Sequence, residues 1–140
     1  MIVADSMRDF AIAKISDLLE DFVAALNAAG KAPDVETVHK VRVSIRRLQQ
    51  GLRLFRPYLS KSGADKLKVE LRAIMDVAGE LRNRDIAIEL VKETEGSEAL
   101  IEDLSMQRAK FDQEFADVLR HHAKPDLAPR WRSKLGLHTP

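Results

Sequence analysis

Val38-His39-Lys40-Val41-Arg42-Val43-Ser44-Ile45-Arg46-Arg47-Leu48, continued by Gln49-Gln50-Gly51-Leu52-Arg53-Leu54-Phe55, decides the fold class of this chain. Its apolar positions Val41, Ile45, Leu48, Leu52 and Phe55 fall at alternating steps of four and three, and Leu59 extends the series. That spacing stacks them on one face of an α-helix, whereas a strand would need strict alternation. Asp34 stands ahead of the stretch as an N-cap, and the spacing predicts a helix to about Tyr58.

The same period recurs on both sides. Ile15, Leu18, Leu19, Phe22 and Leu26 predict a first helix over about 6–29. Leu67, Leu71, Ile74, Ala78, Leu81 and Leu90 predict a third over about 64–95, with a bend near Gly79. Ser97 can cap a fourth, whose stripe is Leu100, Leu104, Phe111, Phe115 and Val118. Gly30 to Pro33, Pro57 to Gly63, Gly96 and Pro125 separate the four. Ala, Leu, Glu, Lys and Arg make up 67 of the 140 residues and aromatics only seven, a bias toward straight-chain helix formers. The expected fold is therefore all-α: an antiparallel four-helix bundle over residues 1–124, followed by a short irregular basic tail at 125–140 that contains Pro125, Pro129 and Pro140. Trp131, between Arg130 and Arg132, docks on the bundle, meets a partner or belongs to a disordered tail; the sequence leaves these open.

Composition excludes several chemistries. There is no cysteine, so disulfides, thiolate catalysis and cysteine-ligated zinc are ruled out. No apolar run approaches the roughly 18 residues of a membrane span, and no basic-then-apolar leader opens the chain. A cytoplasmic protein with no membrane association is the expectation. His121 and His122 are adjacent and point different ways on a helix, so no metal site is expected. No carboxylate pair, Ser–His arrangement or glycine-rich phosphate loop points to an enzyme, and no cofactor is implied.

The formal net charge of +1 conceals a strong segregation. Between Thr37 and Ala64 there are seven Lys or Arg and no acid, while residues 73–119 carry twelve acids against five bases. On the second helix His39, Arg42, Arg46, Gln49 and Arg53 recur at steps of three and four, within about 80° beside the apolar face. On the third, Lys68, Arg72, Gly79 and Arg82 share a similar arc, and Gly79 would let a ligand or helix approach the backbone. If the two helices are antiparallel neighbours, both rows face one groove. Arginine suits such a groove, because its planar fork bonds phosphate oxygens bidentately. The alternative is that these arginines lie along the bundle edge and pair with carboxylates of the third and fourth helices. Pairing within a helix would interleave acids in the same row, and none is there.

The stretch Val38 to Leu48, with Leu52-Arg53-Leu54-Phe55 after it, closely resembles the hallmark helix of the CHAD family, the conserved-histidine α-helical domain. Gly79-Glu80-Leu81-Arg82-Asn83-Arg84-Asp85-Ile86 is similar to that family's second motif. Residue by residue, His39, Arg42, Arg46 and Arg47 match the first motif, Arg53 its downstream arginine, and Arg82 and Asp85 the second. The chain departs from the pattern at Gln49, where arginine is common, and at Asn83, where aspartate is common.

The resemblance implies a non-catalytic helical domain that binds inorganic polyphosphate through its basic residues; taken with the basic row of the third helix, the expected surface is His39, Arg42, Arg46, Arg53, Lys68, Arg72 and Arg82. It also implies a partner among triphosphate-tunnel (CYTH-type) or polyphosphate-metabolising enzymes, and a place on polyphosphate granules. Family domains usually comprise two bundles around a basic pore, and this chain has room for one, so a homodimer is expected. The rival reading is a histidine phosphotransfer protein, also a four-helix bundle, with His39 as its phosphorylated residue. Such domains follow the histidine with a Lys-Gly pair; here Arg42 and Val43 occupy those places. Nucleic acid is disfavoured as a ligand, because no aromatic side chains interleave the basic row for base stacking.

Overall fold

The computed structural model describes residues 2–137. Its elements are helices α1 (Ile2–Lys31), α2 (Val35–Leu54), α3 (Lys61–Val91), α4 (Glu98–His122) and α5 (Leu127–Leu135), with a 3-10 turn at Arg56–Tyr58. The chain is all-α over these residues, as its periodicity predicts.

Each boundary has a local cause. Asp34 caps α2 through a reciprocal box: its carboxylate accepts from Thr37 N–H at 2.9 Å, and its own N–H donates to Thr37 Oγ1 at 3.0 Å. The α-helix stops at Leu54, short of Tyr58, because Pro57 has no N–H to continue the ladder. Ser60 caps α3, which therefore starts at Lys61, three residues earlier than its apolar stripe suggests. Helix α3 runs through Gly79 without interruption. Ser97 precedes α4, but its side chain makes no cap hydrogen bond.

Sequential helices pack against one another, α1 on α2, α2 on α3 and α3 on α4, while α4 meets α1 only marginally. Three- to six-residue connections make these successive pairs antiparallel. Ile15, Leu19, Phe22 and Leu26 of α1 meet Val41, Ile45 and Leu48 of α2 and Leu67, Leu71, Ile74 and Leu81 of α3 in one buried cluster. Phe115 and Leu119 are the buried contribution of α4.

The irregular tail is corrected. Residues 127–135 form a helix that packs on α3 and α1, and residues 138–140 of the expected tail lie outside the described residues. Leu127, Trp131 and Leu135 recur every four residues and are buried, Trp131 to 1% exposure, so the tryptophan completes this chain's own core. Pro129 is tolerated because it falls in the first turn, where N–H groups have no intrahelical acceptor. Gly136, at φ 72°, ends the helix: its N–H donates to Ser133 and that of Leu137 to Arg132. Ser60 N–H donates to Leu135 C=O at 3.0 Å, tying the end of α5 to the start of α3.

Candidate functional site

The antiparallel packing of α2 and α3 sets the order of cations along the line between them. Arg42, early in α2, sits in the field of both Arg46, one turn on, and Arg82, late in α3. At the other end Gln49 and Arg53 from α2, Ala64 and Lys68 from α3 and Arg56 from the 3-10 turn line a cleft of about 260 Å³. Arg72 is exposed one turn beyond Lys68 on the same helix.

Arg42 and Arg82 are half-buried, whereas Arg46, Arg53, Lys68 and Arg72 are exposed; Arg42 is the most confined at its donor. Its Nε is buried and has no hydrogen-bond partner. Burial, then the charges of Arg46 and Arg82, hold its pKa below the ordinary arginine value. The guanidinium stays charged at neutral pH, so three like charges converge with a desolvated donor among them. An anion there would relieve the repulsion and supply the missing acceptor.

The surrounding carboxylates do not do this. Among the described residues, none of His39, Arg42, Arg46, Arg53, Lys68, Arg72 or Arg82 forms an ion pair. The arginines that pair lie elsewhere. Arg84 meets Glu80 on its own helix and covers the Phe111 ring at 4.4 Å. Arg108 of α4 donates to Asp85 of α3 at 2.5 Å, and Arg130 of α5 approaches Glu70 of α3 at 3.9 Å. The ion pairs of the acid-rich helices thus use arginines outside the α2–α3 line. Asp85 belongs to this scaffold: its carboxylate is buried against Arg108, which also donates to Pro33 C=O.

Two positions differ from a simple row. His39 is exposed on the crest of α2 and lines the groove toward α1, beside Lys40 and Arg47. Arg56 lines the basic cleft although it follows the end of α2; its place three residues after Arg53, inside the acid-free segment, was the available signal. Nothing lies within 4 Å of a β-carbon added at Gly79, so no helix closes on the backbone there. Asp65, in the first turns of α3, is the one carboxylate lining the cleft.

Comparison with known proteins agrees with the two motifs. No curated protein and no solved structure matches the chain significantly. The family model described as CHAD domain matches residues 13–140, nearly the whole length and both motif segments. On that match the chain belongs to the CHAD domain family.

Proposed function

We propose that the α2–α3 groove binds inorganic polyphosphate and that the protein is a non-catalytic binding module. The observation that carries this reading is the approach of Arg42, Arg46 and Arg82, with a desolvated donor and no ion-paired carboxylate. From Arg42 to Arg53 the cations extend about 16 Å along α2 at 1.5 Å per residue, long enough for several phosphoryl units of a linear polyanion. Lys68 and Arg72 add charge from the second wall. His39, on the crest, donates from outside the groove. The scaffold of this reading is an antiparallel four-helix bundle over residues 1–124, with α5 of the following basic segment folded onto it. Membership of a family of binding domains supports it.

Assembly follows from the single bundle. Two copies related by a twofold axis would place two basic grooves around one polyanion. Trp131 is buried, so apolar contacts that offset repulsion between the copies would come from the exposed edge formed by Met7, Phe10 and Leu54. Light scattering at micromolar protein should show a dimer that tightens with polyphosphate; a strict monomer in both conditions leaves a one-bundle binder. The setting this reading implies is the cytoplasm, on polyphosphate granules or beside a triphosphate-tunnel or polyphosphate-metabolising enzyme. No helix among the described residues is long and apolar enough to cross a membrane.

The deciding experiment compares long-chain polyphosphate with RNA and DNA of equal charge at several salt concentrations. Polyphosphate should bind tightest throughout, and equal or tighter nucleic-acid binding overturns the assignment. The exposure of His39 favours the phosphorelay reading enough to warrant one control. Phosphohistidine at position 39, detected by mass spectrometry after incubation with a phosphorylated receiver domain, would replace the polyphosphate reading.

A further inference from the structure

The α2–α3 groove is not uniform along its length. At one end Arg42 sits in the field of Arg46 and Arg82, and its Nε is buried without a hydrogen-bond partner. Between Arg46 and Arg53 the α2 row holds only the neutral Gln49. At the other end Arg53, Arg56 and Lys68 are exposed and share the open cleft with Asp65, whose carboxylate offsets one of their charges. Net positive charge is thus greatest, and most removed from water, beside Arg42.

The lane of cations also stops there. Val35 precedes Arg42 by two turns on the same arc of α2, about 10 Å along the helix, and it is exposed. On α3 the arc of Arg82 continues to Ile86 and then Glu89, exposed hydrocarbon followed by an exposed carboxylate. His39 and Lys40, the basic residues in that part of α2, line the α1 side instead. A polyanion lying in the groove meets no attractive charge past Arg42 and a repulsive one at Glu89. Toward Arg53 and Arg56 its path stays basic and open to solvent.

We infer that this closed end is a subsite for the terminal phosphate of the polyphosphate chain, which runs from there toward Arg53 and Lys68. The inference rests on the polyphosphate reading above and gives the bound chain a direction. A terminal phosphate hangs on a single bridging oxygen; it offers three free oxygens and, with a second pKa of about 6, nearly a double charge at neutral pH. A unit inside the chain offers only two free oxygens and a single charge. Three guanidinium groups, one with a desolvated and unsatisfied donor, match the terminal unit and exceed what an interior unit can satisfy. The exposed, partly offset cations of the other end suit interior units.

Isothermal titration calorimetry of the intact protein tests this with linear polyphosphate whose ends are blocked as methylphosphoramidates, against the same polymer with free ends. Blocking leaves each terminal phosphate with two free oxygens and a single charge, like an interior unit, and changes nothing else along the polymer. The free-ended polymer should bind at least tenfold tighter, the loss expected for one or more charge-assisted hydrogen bonds. The number of protein molecules held tightly per free-ended polymer should not rise when the polymer is made threefold longer. Arg82→Ala should abolish the preference for free ends, whereas Lys68→Ala should weaken both polymers alike and preserve it. Equal affinity for blocked and free polymer would overturn the inference and leave the polyphosphate reading standing. So would tight binding that scales with polymer length, or a preference that Arg82→Ala leaves untouched. Binding of neither polymer would overturn both.

Discussion

Gly63 of α3 lies directly against Lys134 of α5: a β-carbon at position 63 would overlap the Lys134 carbonyl oxygen, well inside contact distance. Both partners are backbone, and neither can swing away as a side-chain tip would. Glycine to alanine inside a helix is normally favourable by about 1 kcal/mol. Here overpacking should dominate, and Gly63→Ala should destabilise the fold by about 1–3 kcal/mol, read as a lower thermal midpoint. A variant as stable as the parent would mean that α5 does not dock on α3.

Asp85 should behave as a structural residue although it sits in a family motif. Its side chain is 6% exposed and holds Arg108, so Asp85→Ala leaves a largely buried guanidinium without its counter-charge. Breaking such a pair costs about 3 kcal/mol. Urea unfolding should show that loss, while polyphosphate affinity of the folded variant stays unchanged.

Arg42 should trade stability for binding. Burial and two neighbouring arginines make its charged form costly in the folded protein, so Arg42→Met should raise the thermal midpoint of the free protein. The same change should weaken polyphosphate binding and reduce the slope of log affinity against log salt by about 1. Arg46→Ala removes charge-assisted hydrogen bonds of roughly 1.5–3 kcal/mol in total and should weaken binding about tenfold or more with the fold intact.

The Asp34 cap predicts an acid-side effect. Hydrogen bonds from Thr37, its backbone N–H first, hold the Asp34 carboxyl below its ordinary 3.8. A depressed folded pKa contributes stability that is full above the unfolded value and is lost as pH falls through the folded one. Asp34→Ala should therefore lower the thermal midpoint at pH 7, and the gap to the parent should shrink below about pH 4. A gap that persists unchanged to pH 2 would assign the cap's contribution to something other than its charge.

Much of the helical frame was legible because burial and periodicity coincide in the middle of long helices. Val41, Ile45, Leu48 and Leu52 all point inward, as do Leu67, Leu71, Ile74 and Leu81. The pattern fails at the helix ends. Leu90 and Leu100 continue their stripes in sequence, yet both are exposed, because the stripes outrun the helices that cover them. Helix α5 was hidden by Pro129, whose position in a first turn cannot be recognised until the start of the helix is known. In the groove, helical geometry put Arg42 and Arg46 on one arc of α2 and Arg82 on an arc of α3, but gave no register between the two helices. The Asp85–Arg108 pair spans a loop and two helices, and no spacing rule along one helix can reveal it. His39 sits at the edge of its arc, where a small rotation of α2 decides which groove it lines.

The docking of α5 has a consequence for synthesis. Helices α1 and α3 both use this last segment to cover part of their apolar faces, and the bond from Ser60 to Leu135 spans more than half the chain. Contacts this distant in sequence form late, since the intervening chain must be ordered first. A nascent chain on the ribosome can assemble its early helical pairs, but it keeps an uncovered apolar surface until residues 127–137 have left the exit tunnel. For that interval the uncovered hydrocarbon is the kind of surface that chaperones bind, and closing this core waits for α5.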